Sequence, residues 1–166
     1  MKETAQKSKA AANGLKLADL YEADETAWLE RMAKLVRQRR YGDLDRDHLA
    51  EYLTDMAKRD RREVKSRLLQ LLAHLLKWEH QPDQRSRSWF ASIFMQQKEL
   101  ADLLESGTLR RHAANVLADV YEDALVLAIT ETGLVPATFP STCPYSIEQL
   151  LQLQPENFTL PEPDRA

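Results

Sequence analysis

The chain is predicted to be all-α, an antiparallel bundle of about four long helices followed by a short C-terminal helix. Three observations support this fold class. Apolar residues recur at spacings of three and four over long stretches, which is the period of an amphipathic helix. The 166 residues include four Gly and seven Pro, too few for the frequent tight turns of an all-β sandwich or barrel. The connections between the periodic stretches are short, which favours antiparallel neighbours.

The length and composition bound the domain organisation. A chain of 166 residues and 19.1 kDa can bury a core without a metal or disulfides. We expect a poorly ordered tail over 1–17, a single helical-bundle domain over 18–153 and a polar, proline-containing tail over 154–166. No run approaches the ~18 consecutive apolar residues of a membrane-spanning helix, so no membrane is expected. The single Cys143 excludes an internal disulfide framework and favours a cytoplasmic location.

The first helix is predicted to begin at Asp24, an acceptable N-cap, or one turn earlier at Asp19. Gly42 is expected near its C-terminal stop, after a cluster of arginines in the last turn. The apolar stripe consists of Ala27, Trp28, Met32, Leu35 and Val36.

A longer second helix is predicted from Asp45 or Asp47 to about Trp78. Asp60 falls within its apolar stripe and either faces water where neighbouring helices diverge or is buried beside an arginine; the first is expected, because an unpaired buried carboxylate is costly. The segment 68–76 is apolar almost all round and is expected deep in the core. The stripe consists of Leu49, Leu53, Met56, Asp60, Val64, Leu68, Leu71, Leu75 and Trp78.

Pro82 marks the break before a third helix, which Ser106-Gly107 is expected to end. Thr108 is the expected cap of a fourth helix, which stops at Gly133. The core positions predicted for the third helix are Trp89, Phe90, Ile93, Phe94, Leu100, Leu103 and Leu104. Those predicted for the fourth are Leu109, Ala113, Val116, Leu117, Val120, Ala124 and Leu127.

The C-terminal part is a proline-punctuated connector followed by one short helix. Phe139-Pro140 and Cys143-Pro144-Tyr145 cannot form regular helix, because proline disfavours it at and before its own position. Ser146 and Gln149 have the spacing of a capping box, which predicts a terminal helix from Ile147 to about Leu153.

Several motifs occur in a recognisable order along the chain. They are Trp28-Leu29, the turn 40–45, the run 71–78 with Gln81-Pro82 and 85–89, Phe139-Pro140 and the closing run 143–151. Together they resemble the DUF29 family, bacterial proteins that are defined as a domain of unknown function. The resemblance covers roughly residues 18–152, and its central motif is quite specific. It implies an all-helical bacterial protein and carries over no catalytic or ligand residue.

The turn between the second and third helices carries the sharpest cluster of candidate functional residues. Arg85 and Arg87 lie near a helix start, where free backbone N–H groups favour an anion. Ser86 and Ser88 could donate to that anion, and Trp89 could stack on a base. The alternative is structural: the serines cap the helix, the arginines pair with acidic neighbours, and the aromatic residues fill the core. The candidate cluster for an anion or a partner is His74, Trp78, Arg85, Ser86, Arg87, Ser88 and Trp89.

No linear signature of catalysis or of a metal site is present. His74 and His80 are six apart and face different sides of a helix, and Glu79 is off the face of His74, so no HExxH-type geometry arises. A di-iron bundle needs Glu-x-x-His on two helices, which the sequence lacks. Glycine-rich phosphate loops and nucleophile elbows are likewise missing. We therefore expect a non-catalytic protein without a metal or cofactor.

The net charge of −3 hides an asymmetry. Residues 31–87 hold 15 Lys/Arg and 9 Asp/Glu, so the middle of the chain is basic and its flanks are acidic. Most such charge runs are solvated faces. The leading hypothesis is a protein-interaction module with a protein partner. The first alternative is nucleic-acid or other polyanion binding through 58–67 and the Arg85/Arg87 turn. The second is an enzyme or small-ligand site at His74–Trp89. Self-association is also open, since long helices can expose apolar stripes.

Overall fold

A computed structural model describes residues 16–155 and 158–159, and within them the chain is all-α, as predicted. No strand occurs in that part of the chain, and three short 3₁₀ turns lie at Tyr41–Asp43, Pro82–Gln84 and Pro136–Thr138. The helices are α1 (Leu17–Ala23), α2 (Glu25–Arg37), α3 (Arg46–His80), α4 (Arg87–Leu103), α5 (Gly107–Thr132) and α6 (Ile147–Leu151).

The chain divides into two compact units, an N-terminal unit over Met1–Ala57 and a C-terminal unit over Lys58–Ala166. The boundary falls inside α3, so this helix contributes residues to both units. The sequence predicts one domain over 18–153, and that remains a prediction. The two predicted tails lie mostly outside the described residues, which include only 16–17, 154–155 and 158–159 of them. Leu17 begins α1, and Phe158 packs against the core of the C-terminal unit.

Capping in the N-terminal unit follows the prediction at one end of α2 and differs at the other. The Asp24 carboxylate accepts a hydrogen bond from the Ala27 backbone N–H at 3.0 Å, so Asp24 is the N-cap. The helix ends at Arg37, five residues before Gly42, and the prediction that Gly42 stops it is wrong. The chain turns instead at Arg39, whose φ of 58° is left-handed. The signal was missed because an arginine in this conformation leaves no mark in the sequence.

The core of the N-terminal unit is small and centres on Trp28. Its indole N–H donates to the Asp45 carboxylate at 3.2 Å, and the same carboxylate contacts His48 Nδ1 at 2.8 Å. Tyr21 lies edge-on to the indole, with ring centroids 4.8 Å apart. The buried residues of this unit are Leu20, Trp28, Met32 and Leu35.

Helix α3 changes character along its length. The side chain of Leu53 is 60% exposed, so its prediction as a core residue is wrong, because none of the described residues covers that face of α3. Asp60 is partly exposed and forms no ion pair with any described residue, which agrees with the water-facing expectation. Every residue from Leu71 to Leu76 except His74 is buried, which confirms the prediction of a deeply buried segment.

The C-terminal unit holds the larger core, to which α3, α4 and α5 contribute. Ser86 caps α4 by accepting from the Trp89 N–H at 3.2 Å. The cap of α5 is Ser106, which accepts from the Leu109 N–H at 3.4 Å, so the prediction of Thr108 was two residues late. Gly133 ends α5 with a φ of 69°, as predicted.

The closing segment docks on the C-terminal unit through specific hydrogen bonds. Ser146 and Gln149 form the predicted capping box of α6, which ends at Leu151. The Gln97 side-chain amide donates to the backbone carbonyls of Leu151 and Leu153, each at 3.0 Å. These bonds hold the end of α6 against α4. None of the helices in the described part of the chain is long and apolar enough to cross a membrane.

Candidate functional site: a cleft at the end of helix α3

The candidate site begins where α3 ends. The residue before a proline avoids helical backbone, and Gln81 accordingly leaves the helix with φ −128° and ψ 66°. Pro82 then opens a 3₁₀ turn, and Arg85 follows it in extended conformation. The Gln81 side chain donates to the Thr132 carbonyl at 3.3 Å, which fastens the turn to the C-terminal end of α5. The turn is therefore built to hold Arg85 in one place.

The Arg85 side chain folds back over the last turn of α3. Its Nε donates to the Trp78 carbonyl at 2.8 Å, one of the carbonyls that a helix end leaves without an intrahelical partner. Its guanidinium carbon lies 5.1 Å from the centroid of the Trp78 ring, within cation–π range. Neither terminal nitrogen hydrogen-bonds to any residue in 16–155 or 158–159. Arg85 is thus held through its Nε, whereas its two terminal nitrogens remain available to a ligand.

The available edge of Arg85 lies at a cleft of about 300 Å³, which we call the Arg85 cleft. Its lining combines apolar walls with one cation and one carboxylate. All of these residues belong to the C-terminal unit. They are Leu75, Trp78, Glu79, Arg85, Tyr145, Leu153, Phe158 and Thr159.

Glu79 and Tyr145 form the polar wall of the cleft. The Tyr145 hydroxyl donates a hydrogen bond to Glu79 Oε1. Burial and then this hydrogen bond raise the pKa of Tyr145 well above its ordinary value, so the phenol stays protonated and remains a donor at neutral pH. Behind it, the Cys143 thiol lies 3.5 Å from the Tyr145 carbonyl, and burial raises the pKa of that thiol. A protonated, partly buried thiol is a poor nucleophile.

An aromatic cluster forms the floor beside Trp78. The ring of Phe158 lies 5.5 Å from that of Trp78 and 5.3 Å from that of Phe94, and Phe90 completes the group. Sequence reasoning missed Phe158 because it assigned everything after Leu153 to a polar tail. A lone aromatic after Pro155 in that polar segment was the available signal.

The other members of the predicted cluster do not converge with Arg85 on one point. Ser86 Oγ is occupied as the helix cap and lies 2.9 Å from Ser88 Oγ. Arg87 and Ser88 are exposed at the first turn of α4. Trp89 is half-buried, with the Lys77 ammonium 5.0 Å from its ring centroid. Of the seven predicted residues, the cleft brings together Trp78 and Arg85.

His74 lies elsewhere in the C-terminal unit, near an ion pair between buried Lys77 and exposed Glu131. Lys77 is 7% exposed and its ammonium lies 2.5 Å from the Glu131 carboxylate. Burial and then the Lys77 charge lower the pKa of His74 below its ordinary value, so the ring is neutral at pH 7. Its Nδ1 is buried and has no hydrogen-bond partner among the described residues.

The cations of the basic segment 58–67 are exposed except for Arg67, which is half-buried. The Arg67 guanidinium reaches Glu63 at 2.7 Å and Glu99 at 2.6 Å. A more open groove of about 370 Å³ lies beside these carboxylates, lined by Glu63, Glu99, Asp102 and Leu103. The exposed cations of the segment are Lys58, Arg59, Arg61, Arg62 and Lys65.

The described residues contain no group of three or more His, Cys, Asp and Glu side chains placed to hold a metal ion. The Arg85 cleft presents a fixed guanidinium, a carboxylate and aromatic walls. Cys143 is the one thiol near it, and its pKa is raised rather than lowered.

Comparison with known proteins agrees with the motifs in the sequence. The model of the domain of unknown function DUF29 matches residues 20–154. Neither a curated protein nor a solved structure matches the chain. The family match spans α2 to α6 and includes most of the residues around the Arg85 cleft. The chain belongs to the DUF29 family, whose function is unknown.

Proposed function

We propose that the protein is a non-catalytic interaction module that binds a short segment of a partner protein in the Arg85 cleft. The single observation that carries this proposal is the fixed guanidinium of Arg85, stacked on Trp78 at the mouth of a cleft with aromatic walls. Tryptophan, tyrosine and arginine are the residues that most often dominate the energy of protein interfaces. The free thiol of Cys143 supports a cytoplasmic location for this interaction.

The fixed position of the Arg85 side chain supports a role in binding a partner. An exposed arginine loses rotamer freedom when it engages a partner, and that loss weakens binding. Arg85 has already lost it, because the Trp78 carbonyl and ring hold the side chain in place. The Gln97 clamp on Leu151 and Leu153 similarly holds one wall of the cleft before any partner arrives.

Selection from a library of displayed random peptides, followed by fluorescence polarisation, tests this proposal. We expect enriched peptides to bind the wild-type protein and to bind Thr159→Trp at least about tenfold more weakly, because the indole would fill the cleft. Thr130→Trp is the matched control, an exposed threonine on α5 outside the cleft lining. Failure to enrich any binder, or binding that Thr159→Trp leaves unchanged, would contradict the proposal.

The solvated cations of 58–65 support a second candidate, binding of a nucleic acid or another polyanion. Five exposed cations on two turns of α3 are the electrostatic footprint that such ligands require. Gel retardation of DNA and RNA at low salt tests it, with affinity expected to fall steeply as salt rises. A charge-reversed variant, Arg59→Glu with Arg62→Glu, should abolish the shift. No retardation at low salt would exclude this candidate.

A further inference from the structure

We infer that the Arg85 cleft recognises the C-terminal residue of its partner, a free carboxylate on a residue with an apolar side chain. This inference rests on the proposed function and adds the chemistry of the bound segment. The evidence is the way charge, hydrogen-bonding groups and apolar surface are combined within one small cleft of the C-terminal unit.

The guanidinium of Arg85 supplies the carboxylate-binding group. Its Nε is occupied by the Trp78 carbonyl at 2.8 Å, so the two terminal nitrogens form the edge that remains for a ligand. A guanidinium edge donates two parallel hydrogen bonds, which match the two oxygens of a carboxylate. The hydrogen bond to the Trp78 carbonyl and the contact with the Trp78 ring together restrict how this edge can turn.

The Glu79 carboxylate carries a charge opposite to that of Arg85, and it accepts hydrogen bonds rather than donating them. One of its oxygens receives the Tyr145 hydroxyl hydrogen bond, which leaves the other for a donor on the ligand. The last residue of a peptide carries such a donor, its backbone N–H, whose nitrogen is bonded to the carbon that bears the carboxylate. A purely anionic ligand such as phosphate would gain at Arg85 and be repelled at Glu79.

The apolar walls and the size of the cleft select the rest of the ligand. Leu75, Trp78, Leu153 and Phe158 surround space next to the two charged groups. A volume of about 300 Å³ is at the lower end of ligand pockets, so it accommodates one side chain rather than a long segment. Capture of a terminal carboxylate is a recurring mode of peptide recognition, in which the chain end gives affinity and the last side chain gives specificity.

Two matched peptides test this inference on the unaltered protein. The first ends in leucine with a free carboxylate, and the second is identical except for a C-terminal amide. Isothermal titration calorimetry is expected to show at least about tenfold tighter binding of the acid, because the amide loses the charge and one acceptor at Arg85. N-acetyl-leucine serves as a third probe, with the same terminal chemistry and no peptide.

Substitutions at Arg85 and Arg87 test whether Arg85 causes the preference for the acid over the amide. Arg85→Gln should remove the preference for acid over amide, and Arg85→Lys should restore only part of it, because an ammonium lacks the planar fork. Arg87→Gln is the matched control, an exposed arginine two residues away that lies outside the cleft lining. Since Arg85 also bonds the end of α3, the circular dichroism spectrum and Tm of Arg85→Gln are measured in parallel.

Each outcome decides the matter. Tighter binding of the acid, lost in Arg85→Gln and kept in Arg87→Gln, supports the inference. Equal binding of acid and amide overturns it while leaving the interaction module intact, since peptides still bind. Binding of N-acetyl-leucine without binding of the peptide overturns it in favour of a small-molecule site. If Arg85→Gln is unfolded, the acid–amide comparison on the wild-type protein still decides, and equal affinities there overturn the inference.

Discussion

Among the described residues, the core of the N-terminal unit has four buried side chains, Trp28 included, whereas nineteen buried residues form the core of the C-terminal unit. The smaller core depends on one large ring that is held by a polar contact to Asp45. The larger core comes from a helix that is apolar on nearly every side between Leu71 and Leu76. Helix α3 therefore contributes to two cores that differ in size and in how they are held together.

The two units also differ in whether their polar side chains have partners. The polar contacts of the N-terminal core, between Trp28, Asp45 and His48, are made within the unit and satisfy one another. In the C-terminal unit the guanidinium of Arg85 keeps one edge without a partner among the described residues, and it faces a cleft.

The largest expected effect compares two leucines of α3. Leu72 is fully buried, and Leu72→Ala should lower the free energy of unfolding by about 3–5 kcal/mol, through lost apolar burial and the cavity left behind. Leu53→Ala, at a side chain that is 60% exposed, should change it by about 0.5 kcal/mol or less. Urea denaturation followed by circular dichroism measures both. Similar losses in the two variants would show that α3 is packed evenly along its length.

A smaller effect tests the polar anchor of the N-terminal core. Trp28→Phe removes the N–H that Asp45 accepts, and we expect a loss of about 1–2 kcal/mol in unfolding free energy. Tyr52→Phe is the control, a neighbouring ring whose hydroxyl bonds to no described residue, and it should cost about 0.5 kcal/mol or less. Hydrogen exchange should show the extra opening within residues 16–57. Extra opening spread equally over both units would instead indicate one cooperative domain.

The smallest effect is a pH dependence in the C-terminal unit. The pKa of His74 is lowered by burial and by Lys77, while Glu131 opposes the shift. As the pH falls below about 6.5, the unfolded chain therefore takes up a proton that the native ring resists, and stability falls. The Tm of the wild-type protein should drop more between neutral and mildly acidic pH than that of His74→Gln. An equal decrease in Tm for the two proteins would contradict a lowered pKa of His74 in the native state.

Much of the fold could be predicted because its signals are local. Asp24, Ser146 with Gln149, and Gly133 act through bonds or backbone conformations within one helix turn, so spacing alone revealed them. Leu53 was misassigned because periodicity identifies the apolar face of a helix and not the extent to which that face is covered. The division into two units could not be predicted either, because periodicity does not show which part of α3 packs against which other helices.

The cleft could be predicted only in part. Trp78 and Arg85 are seven residues apart and belong to one turn, so the sequence suggested both. Tyr145 and Phe158 reach the same cleft from more than 65 residues beyond Trp78 along the chain, and only the docking of the last segment brings them there. Trp89 was expected in the core, but its position at the start of α4 leaves it half-buried.

The most direct test of the central claim, that partner binding belongs to the cleft of the C-terminal unit, is hydrogen–deuterium exchange with a bound peptide. Using the leucine-terminated acid, we expect slower exchange in residues 75–85 and 145–155 and no change in 16–57. Slower exchange confined to 16–57, or to the basic segment 58–67, would contradict the account and move the binding surface away from Arg85.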